Sequence, residues 1–368
     1  MTTTIGPTAI RQRAGLDTIP AYRQGAAPKP VDGLAPFKLS SNENPYPPLP
    51  SVVEAVTGAV SGIHRYPSMS ADALATAIAD EWGITAGNIA FGSGSVEVAS
   101  QIIHAVTNPG DQVMFAWRSF EAYPILATVA GAEPQPIPLT PEGGHDLQAM
   151  AAAVTPRTRV IFLCNPNNPT GAVLTAAAVE RFLETVPSDV LVVIDEAYLH
   201  FNDHPETAVG VDLFRKHSNV VVLHTFSKAY GLAGLRLGYA IGGPELIAGL
   251  RKVAVPFAVT ALAQEAGLAS LKAGKELQDR IDVLISERRR VYSGLLAAGL
   301  PVRPSGANFL WLDTGTHTGD VAALFEGNAV AVRVFPAEGI RVSVGTPEAN
   351  DRVLDVARRA GRLLLRQH

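Results

Sequence analysis

Apolar runs rich in β-branched residues alternate with alanine-rich amphipathic segments from residue 50 to about residue 250. The runs are Asn88 to Phe91, Gln112 to Phe115, Val160 to Leu163, Leu191 to Ile194 and Val220 to Leu223. Such alternation is typical of a mostly parallel sheet with helices on both faces. We therefore predict an α/β fold, and ligands of such sheets bind at the carboxyl ends of the strands.

The pattern changes after residues 255–257. A long charged helical pattern from Lys272 to Leu296 leads into a Pro-containing segment, short strands and a last basic helix that reaches His368. The first residues, in contrast, are irregular and rich in Pro and Gly. These changes predict an N-terminal arm over residues 1–45, a large domain over 46–256 and a smaller α+β domain over 257–368.

Composition excludes several classes of protein. Of the 368 residues, 47% are apolar and 17% are charged, and the net charge is −4, which indicates extensive burial and no basic surface for nucleic acid. The single cysteine, Cys164, cannot form an internal disulfide. The first twenty residues lack a signal-peptide pattern, and no apolar run is long enough to cross a bilayer. We expect a cytoplasmic protein without a nucleic-acid or membrane partner.

Unusual residues follow the predicted strands. Phe91 to Glu97 is a Gly/Ser turn before a predicted helix, Val96 to Val106, and its backbone N–H groups could bind an anion. An ordinary helix cap is the better explanation of this turn when it is taken alone. Cys164 to Gly171 contains two Asn-Pro steps, and its three asparagines exceed what a turn requires. Asn168 is therefore a candidate hydrogen-bond donor to a ligand.

Two carboxylates end another predicted strand, in Leu191 to Tyr198. A carboxylate left there needs a cation, a metal or a protonated ring as its partner. A strand followed by Asp-Glu also occurs in P-loop ATPases. That alternative requires a G-x-x-x-x-G-K-[ST] motif, which this chain lacks.

Lys228 lies just past the last of the apolar runs, in Thr225 to Arg236. Most lysines are solvated surface residues. Here hydroxyl residues and Arg236 could bind a phosphate, while the apolar strand behind Lys228 would desolvate its amine and lower the pKa of the amine. An amine beside a phosphate site, a facing Asp and nearby Asn and Tyr side chains form one set. That set suits pyridoxal 5'-phosphate.

The chain resembles the fold-type I pyridoxal-phosphate aminotransferases of the histidinol-phosphate aminotransferase group, in the branch of aromatic amino acid (phenylalanine) aminotransferases. The resemblance covers nearly the whole chain and rests on several motifs together. They are Ser41 to Tyr46, His64 to Pro67, Cys164 to Gly171, Asp195 to Tyr198, Thr225 to Arg236, Ala307 to Phe309 and Ile340 to Val344.

The resemblance implies roles for the residues around the cofactor ring. Lys228 would bind the cofactor covalently and then carry the proton between the substrate α-carbon and the cofactor C4'. Asp195 would keep the ring nitrogen protonated, and Tyr198 and Asn168 would hydrogen-bond the ring oxygen O3'. Phe120 stands where histidinol-phosphate enzymes usually have a stacked tyrosine, and stacking survives that change.

The same resemblance implies a phosphate site and a homodimer. Tyr66 would reach the phosphate from the neighbouring subunit. Within one chain the phosphate would contact residues on both of its sides, namely Gly94, Ser95, Thr225, Ser227 and Arg236.

The resemblance also implies substrate contacts. Arg341 would clamp the substrate α-carboxylate, and Asn168 is also predicted to contact the substrate. Arg333 would hold the distal carboxylate of 2-oxoglutarate, although an ordinary surface arginine is the alternative. Tyr22 would cover the substrate from the arm, with a packed arm tyrosine as the equally supported alternative.

We expect transamination between an aromatic L-amino acid (phenylalanine, tyrosine or tryptophan) and 2-oxoglutarate. Histidinol-phosphate transamination is the close alternative, because only the pocket lining separates the two. A ligand-sensing regulator would need a DNA-binding domain ahead of motifs that begin at about residue 40. A racemase, decarboxylase or lyase on the same fold is disfavoured by the paired arginines.

Overall fold

The computed structural model describes residues 15–365. The strands are β1 Phe37–Lys38, β2 Ile89–Ser93, β3 Gln112–Trp117, β4 Glu133–Pro138, β5 Thr158–Cys164, β6 Leu191–Asp195, β7 Val220–Thr225, β8 Leu237–Ile241, β9 Phe309–Leu312, β10 Val330–Ala331, β11 Arg333–Phe335 and β12 Gly339–Ser343. The helices are α1 Pro50–Ala59, α2 Asp72–Trp82, α3 Ser95–Val106, α4 Ala122–Ala130, α5 Leu147–Ala152, α6 Ala176–Thr185, α7 Gly210–Lys216, α8 Pro244–Val253, α9 Ala261–Lys272, α10 Gly274–Ala297, α11 Thr318–Glu326 and α12 Pro347–Leu365. Across this described range, no helix is both long enough and apolar enough to span a bilayer.

The central sheet has seven strands in the order β2-β8-β7-β6-β5-β3-β4. Strands β4, β3, β5, β6 and β7 are mutually parallel, and β8 is antiparallel to β7 and β2. The predicted mostly parallel α/β sheet is therefore confirmed. Every residue of β6 and β7 is buried because helices cover both faces of the sheet, which explains their continuous apolar runs.

Two strands of this sheet are absent from the sequence-based prediction. Strand β4 has the sequence Glu-Pro-Gln-Pro-Ile-Pro, and proline is disfavoured in strands because it cannot donate a ladder hydrogen bond. It is tolerated here because β4 lies at the sheet edge. Strand β8 is short and contains Gly238, so its sequence carries a weak strand signal.

A second, three-stranded antiparallel sheet has the order β11-β12-β9. Helices α10, α11 and α12 contribute to the apolar core beside it. The long charged pattern and the last basic helix of the sequence correspond to α10 and α12. Strand β1, within the predicted arm, pairs in parallel with β10. The predicted domain boundaries stay a prediction.

The carboxyl ends of the parallel strands all lie on the same side of the sheet. Cys164 at the end of β5 is paired in register with Asp195 at the end of β6. Strand β7 ends beside them at Thr225, three residues before Lys228. Residues far apart in sequence thus come together at the carboxyl ends of the central strands.

Candidate active site

A cavity of about 400 Å³ opens at the carboxyl ends of strands β5, β6 and β7. It brings together most of the residues predicted for the site. Those that line it are Tyr22, Ser95, Phe120, Asn168, Asp195, Tyr198, Thr225, Ser227, Lys228 and Arg236.

Lys228 is partly buried, and its amine faces the cavity. Its Nζ donates to the backbone oxygen of Ser41 at 3.3 Å and lies 5.8 Å from the centre of the Tyr198 ring. Burial, together with the positive charge of Arg341, lowers the pKa of Lys228 to about 8. A substantial fraction of the amine is therefore neutral near pH 8, as a nucleophile or a general base requires.

Asp195 is a buried carboxylate that faces the same cavity. Its Oδ2 accepts from the Tyr123 hydroxyl at 2.5 Å, and its Oδ1 accepts from the backbone N–H of Ala197 at 3.3 Å. Burial raises the pKa of Asp195, while the Tyr123 hydrogen bond opposes this rise. No Lys or Arg of residues 15–365 forms an ion pair with it, so a protonated ring nitrogen is a fitting partner.

Tyr198 and Asn168 flank the lysine. The Tyr198 hydroxyl accepts from Asn42 Nδ2 at 3.0 Å, and burial raises its pKa, so the phenol stays neutral and can donate. The Oδ1 of Asn168 accepts from Arg341 Nη1, and Arg341 Nη2 donates to the Ser40 backbone oxygen at 2.9 Å. The buried Nε of Arg341 has no hydrogen-bond partner among the described residues, which leaves a donor for an incoming carboxylate.

The candidate phosphate site lies at the start of α3. Gly94 has φ +83°, and a Cβ there would collide with the guanidinium of Arg236. Only glycine therefore lets Arg236 approach the helix start this closely. Arg236 Nη1 donates to Ser227 Oγ at 3.2 Å, and Thr225 lies beside them in the cavity wall. A cation, hydroxyls and a helix N-terminus make a donor set suited to a phosphate.

Another wall of the cavity is apolar. Phe120, Ile125 and Leu126 line the cavity there, and all three side chains are uncharged. The Phe120 ring packs edge-on against the Tyr22 ring, with 6.4 Å between centres, and against the Tyr123 ring, with 5.5 Å between centres. This wall therefore offers an aromatic side chain an apolar surface.

Four predicted site residues do not line the cavity, namely Gly94, Arg341, Arg333 and Tyr66. Gly94 and Arg341 directly contact the lining residues Arg236 and Asn168, whereas Arg333 and Tyr66 have other partners. Arg333 forms an ion pair with Glu121, with 2.6 Å between Nη2 and Oε2. Tyr66 is 82% exposed, and its ring stacks on Phe257 with 4.5 Å between centres. A single chain therefore leaves the Tyr66 side chain accessible to another molecule.

The sequence reasoning missed three contacts of the site. Tyr123 bonds Asp195, Asn42 bonds Tyr198, and Glu121 pairs with Arg333. Asn42 lies within a motif that carried the resemblance and was a signal available in the sequence. Tyr123 and Glu121 lie in Trp117 to Tyr123, a stretch that departs from the usual family motif, but nothing in that stretch indicated their partners.

The sequence profile of the family described as aminotransferase class I and II matches residues 36–356. The chain belongs to this aminotransferase family. It is 52% identical over 352 residues to an aromatic amino acid aminotransferase of Streptomyces avermitilis, covering 96% of this chain and 98% of the relative. It is 53% identical over 350 residues to a protein of the same name from Streptomyces coelicolor, covering 95% of this chain and 97% of the relative.

A solved aminotransferase structure supports the same assignment of fold. The histidinol-phosphate aminotransferase of Sinorhizobium meliloti, in complex with pyridoxal-5'-phosphate, superposes with a TM-score of 0.83 and 26% identity. The match covers 90% of this chain and 92% of that structure. The fold-type I aminotransferase architecture expected from the sequence is confirmed.

Proposed function

We propose that this aminotransferase uses pyridoxal 5'-phosphate to exchange the amino group of an aromatic L-amino acid with 2-oxoglutarate. The observation that carries the proposal is the cavity that brings Lys228, Asp195 and an apolar wall containing Phe120 together. Burial lowers the pKa of Lys228 to about 8, which supports its role as a nucleophile. Relatives about half identical over nearly the whole chain are named for aromatic amino acids. The products would be the aryl 2-oxo acid and glutamate.

The residues of the cavity fit the cofactor. Lys228 would bind it covalently, Asp195 would pair with the ring nitrogen, and Tyr198 and Asn168 would face the ring oxygen. When bound, the cofactor supplies an electron sink for charge that develops at the substrate α-carbon. The residues that would surround its phosphate are Gly94, Ser95, Thr225, Ser227 and Arg236.

Lys228 would also move the proton. Its neutral amine would accept the proton from the substrate α-carbon and deliver it to the cofactor C4'. The buried Tyr198 stays neutral and would donate a hydrogen bond without competing for that proton. The apolar wall of the cavity would help to exclude water from the exchange.

Arg341 would orient the amino acid. Its guanidinium is held at Asn168, which lines the cavity, and its Nε is unpaired, so a planar donor group is available for an α-carboxylate. The side chain of the substrate would then lie against Phe120 and under Tyr22. Arg333 would serve the second carboxylate of 2-oxoglutarate.

The partner would be a second copy of the chain. Exposed apolar side chains occur close to Tyr66, and they include Ile63, Met69, Val255 and Phe257. Such a group favours contact with another protein surface. In a homodimer Tyr66 would complete the neighbour's phosphate site, so Tyr66→Phe should weaken cofactor binding without unfolding the chain. Equilibrium sedimentation tests whether the chain forms a homodimer. Cofactor titration of Tyr66→Phe tests whether Tyr66 contributes to cofactor binding.

We also propose that the protein acts in the cytoplasm. The support is its cysteine content, since Cys164 is the chain's only cysteine and is buried. Fractionation of the cells that produce it tests this.

The substrate is tested by following the visible absorbance of the cofactor-loaded protein in one half-reaction. Rapid bleaching by phenylalanine and slow bleaching by histidinol phosphate is the expected result. The histidinol-phosphate alternative is less supported, because the structure with that name is only 26% identical and the wall beside Phe120 is apolar. Bleaching chiefly by histidinol phosphate would refute the aromatic assignment.

A further inference from the structure

Two arginines face each other across a strand pair beside the cavity. Arg333 in β11 and Arg341 in β12 are directly opposite in the antiparallel register. Side chains opposite each other in such a pair project from the same face of the sheet, and like charges there repel. Burial lowers the pKa of Arg341, and the charge of Arg333 adds to that effect. A ligand with two carboxylates would relieve the repulsion.

The chain itself supplies a carboxylate partner for one of the two arginines, Arg333. Glu121 Oε2 lies 2.6 Å from Arg333 Nη2, and the side chains are 32% and 13% exposed respectively. Arg333 Nη1 also donates to the backbone oxygen of Gln24 at 3.2 Å. Glu121 follows Phe120 and precedes Ala122, which both line the cavity. The ion pair therefore borders the place where a substrate side chain would lie.

We propose that Glu121 is a specificity-determining residue that occupies Arg333 when the bound substrate has no second carboxylate. The proposal rests on the proposed function, in which aromatic and dicarboxylate substrates share one site. An aromatic side chain leaves the Glu121–Arg333 pair intact, so no guanidinium is left without a counter-charge beside a neutral ring. A dicarboxylate must displace Glu121 from Arg333 and approach against its negative charge. Glu121 thereby favours aromatic over dicarboxylate ligands.

A neighbouring ion pair provides a matched control. Arg118, three residues before Glu121, pairs with Glu338 in the turn between β11 and β12, with 2.9 Å between Nε and Oε2. Both arginines contact the Phe335 ring, at 5.5 Å for Arg118 and 5.7 Å for Arg333. The two pairs thus join the same loop to the same sheet, but only one of them engages Arg333.

The experiment compares Glu121→Gln with Glu338→Gln in the cofactor-loaded protein. Two unreactive ligands are titrated by the change in cofactor absorbance: glutarate as the dicarboxylate and 3-phenylpropionate as the aromatic monocarboxylate. Glu121→Gln should tighten glutarate binding by about threefold or more and leave 3-phenylpropionate binding nearly unchanged. Glu338→Gln should leave the ratio of the two affinities unchanged. Adding Arg333→Gln to Glu121→Gln should remove the gain for glutarate.

Glutarate binding that is unchanged or weaker in Glu121→Gln would overturn the proposal. An equal gain in Glu338→Gln would also overturn it, since any lost negative charge or any loosened contact would then suffice. The proposed function has a separate test in the wild-type half-reaction with phenylalanine. If phenylalanine failed to react, the proposed function would be refuted, and the effect of Glu121→Gln on glutarate binding could still be interpreted.

Discussion

Removing the Tyr123 hydroxyl isolates the hydrogen bond that stabilises Asp195. Tyr123 is fully buried, and its ring stacks on Phe162 with 4.4 Å between centres, so Tyr123→Phe keeps the packing and removes one oxygen. That oxygen lies 2.5 Å from Asp195 Oδ2. The variant leaves Asp195 with the single longer bond from the Ala197 backbone.

The size of the effect follows from burial and charge. A hydrogen bond to a charged group contributes about 1.5–3 kcal/mol. Both partners here are buried, so solvent screens the interaction little. Burial already raises the pKa of Asp195, and losing the hydroxyl should raise this pKa further.

The raised pKa of Asp195 determines how the destabilisation by Tyr123→Phe changes with pH. The folded pKa of Asp195 exceeds its unfolded value, so the folded protein binds more protons between the two values and stability falls as pH rises through that window. In Tyr123→Phe the window extends to higher pH. The difference in the free energy of unfolding between the two proteins should therefore be small near the ordinary carboxyl pKa of about 4. It should grow toward about 1.5–3 kcal/mol as pH rises through the raised folded pKa of Asp195.

Urea unfolding of the cofactor-free proteins across this pH range measures the difference. Ser270→Ala is the control, because the buried Ser270 hydroxyl donates at 2.8 Å to a neutral carbonyl, that of Ala266. Its cost should not vary with pH. A cost of Tyr123→Phe that is equally independent of pH would refute the charge-based reasoning.

Three further predictions concern the residues around the cofactor. Lys228→Ala should lower the half-reaction rate with phenylalanine by at least about 10³-fold, measured by stopped-flow absorbance, and wild-type-like turnover would contradict the mechanism. Asp195→Asn should keep the fold, checked by circular dichroism, yet lower kcat by roughly 10²–10³-fold; an unchanged kcat would show that Asp195 does not pair with the ring. Because the pKa of Lys228 is lowered to about 8, covalent cofactor capture by the cofactor-free protein should accelerate roughly fivefold from pH 7 to 8 and less than about twofold from pH 8 to 9. A steady tenfold rise per pH unit, measured by absorbance, would instead indicate an ordinary exposed lysine.

The sequence by itself determined five of the seven strands of the central sheet and the convergence of most candidate site residues at their carboxyl ends. Strands β5, β6 and β7 are continuous apolar runs because they are covered on both faces, and that burial is visible in the sequence. Asp195 ends one such run and Lys228 follows another closely, and the ends of parallel strands meet at one edge. Their convergence therefore followed from local patterns and one topological rule.

Only the tertiary structure decided which side chains pair across the site. Tyr123 lies in the apolar stretch of α4, where a tyrosine cannot be told from a core aromatic, and its partner is 72 residues away. Glu121 and Arg333 are 212 residues apart, and their pairing depends on how the segment before α4 packs against β11. Hydrogen bonds and ion pairs act over a few ångströms in space, whereas sequence patterns report only the burial and local geometry of each segment. The partners of Asp195 and Arg333 were therefore decided by the packing of the folded chain.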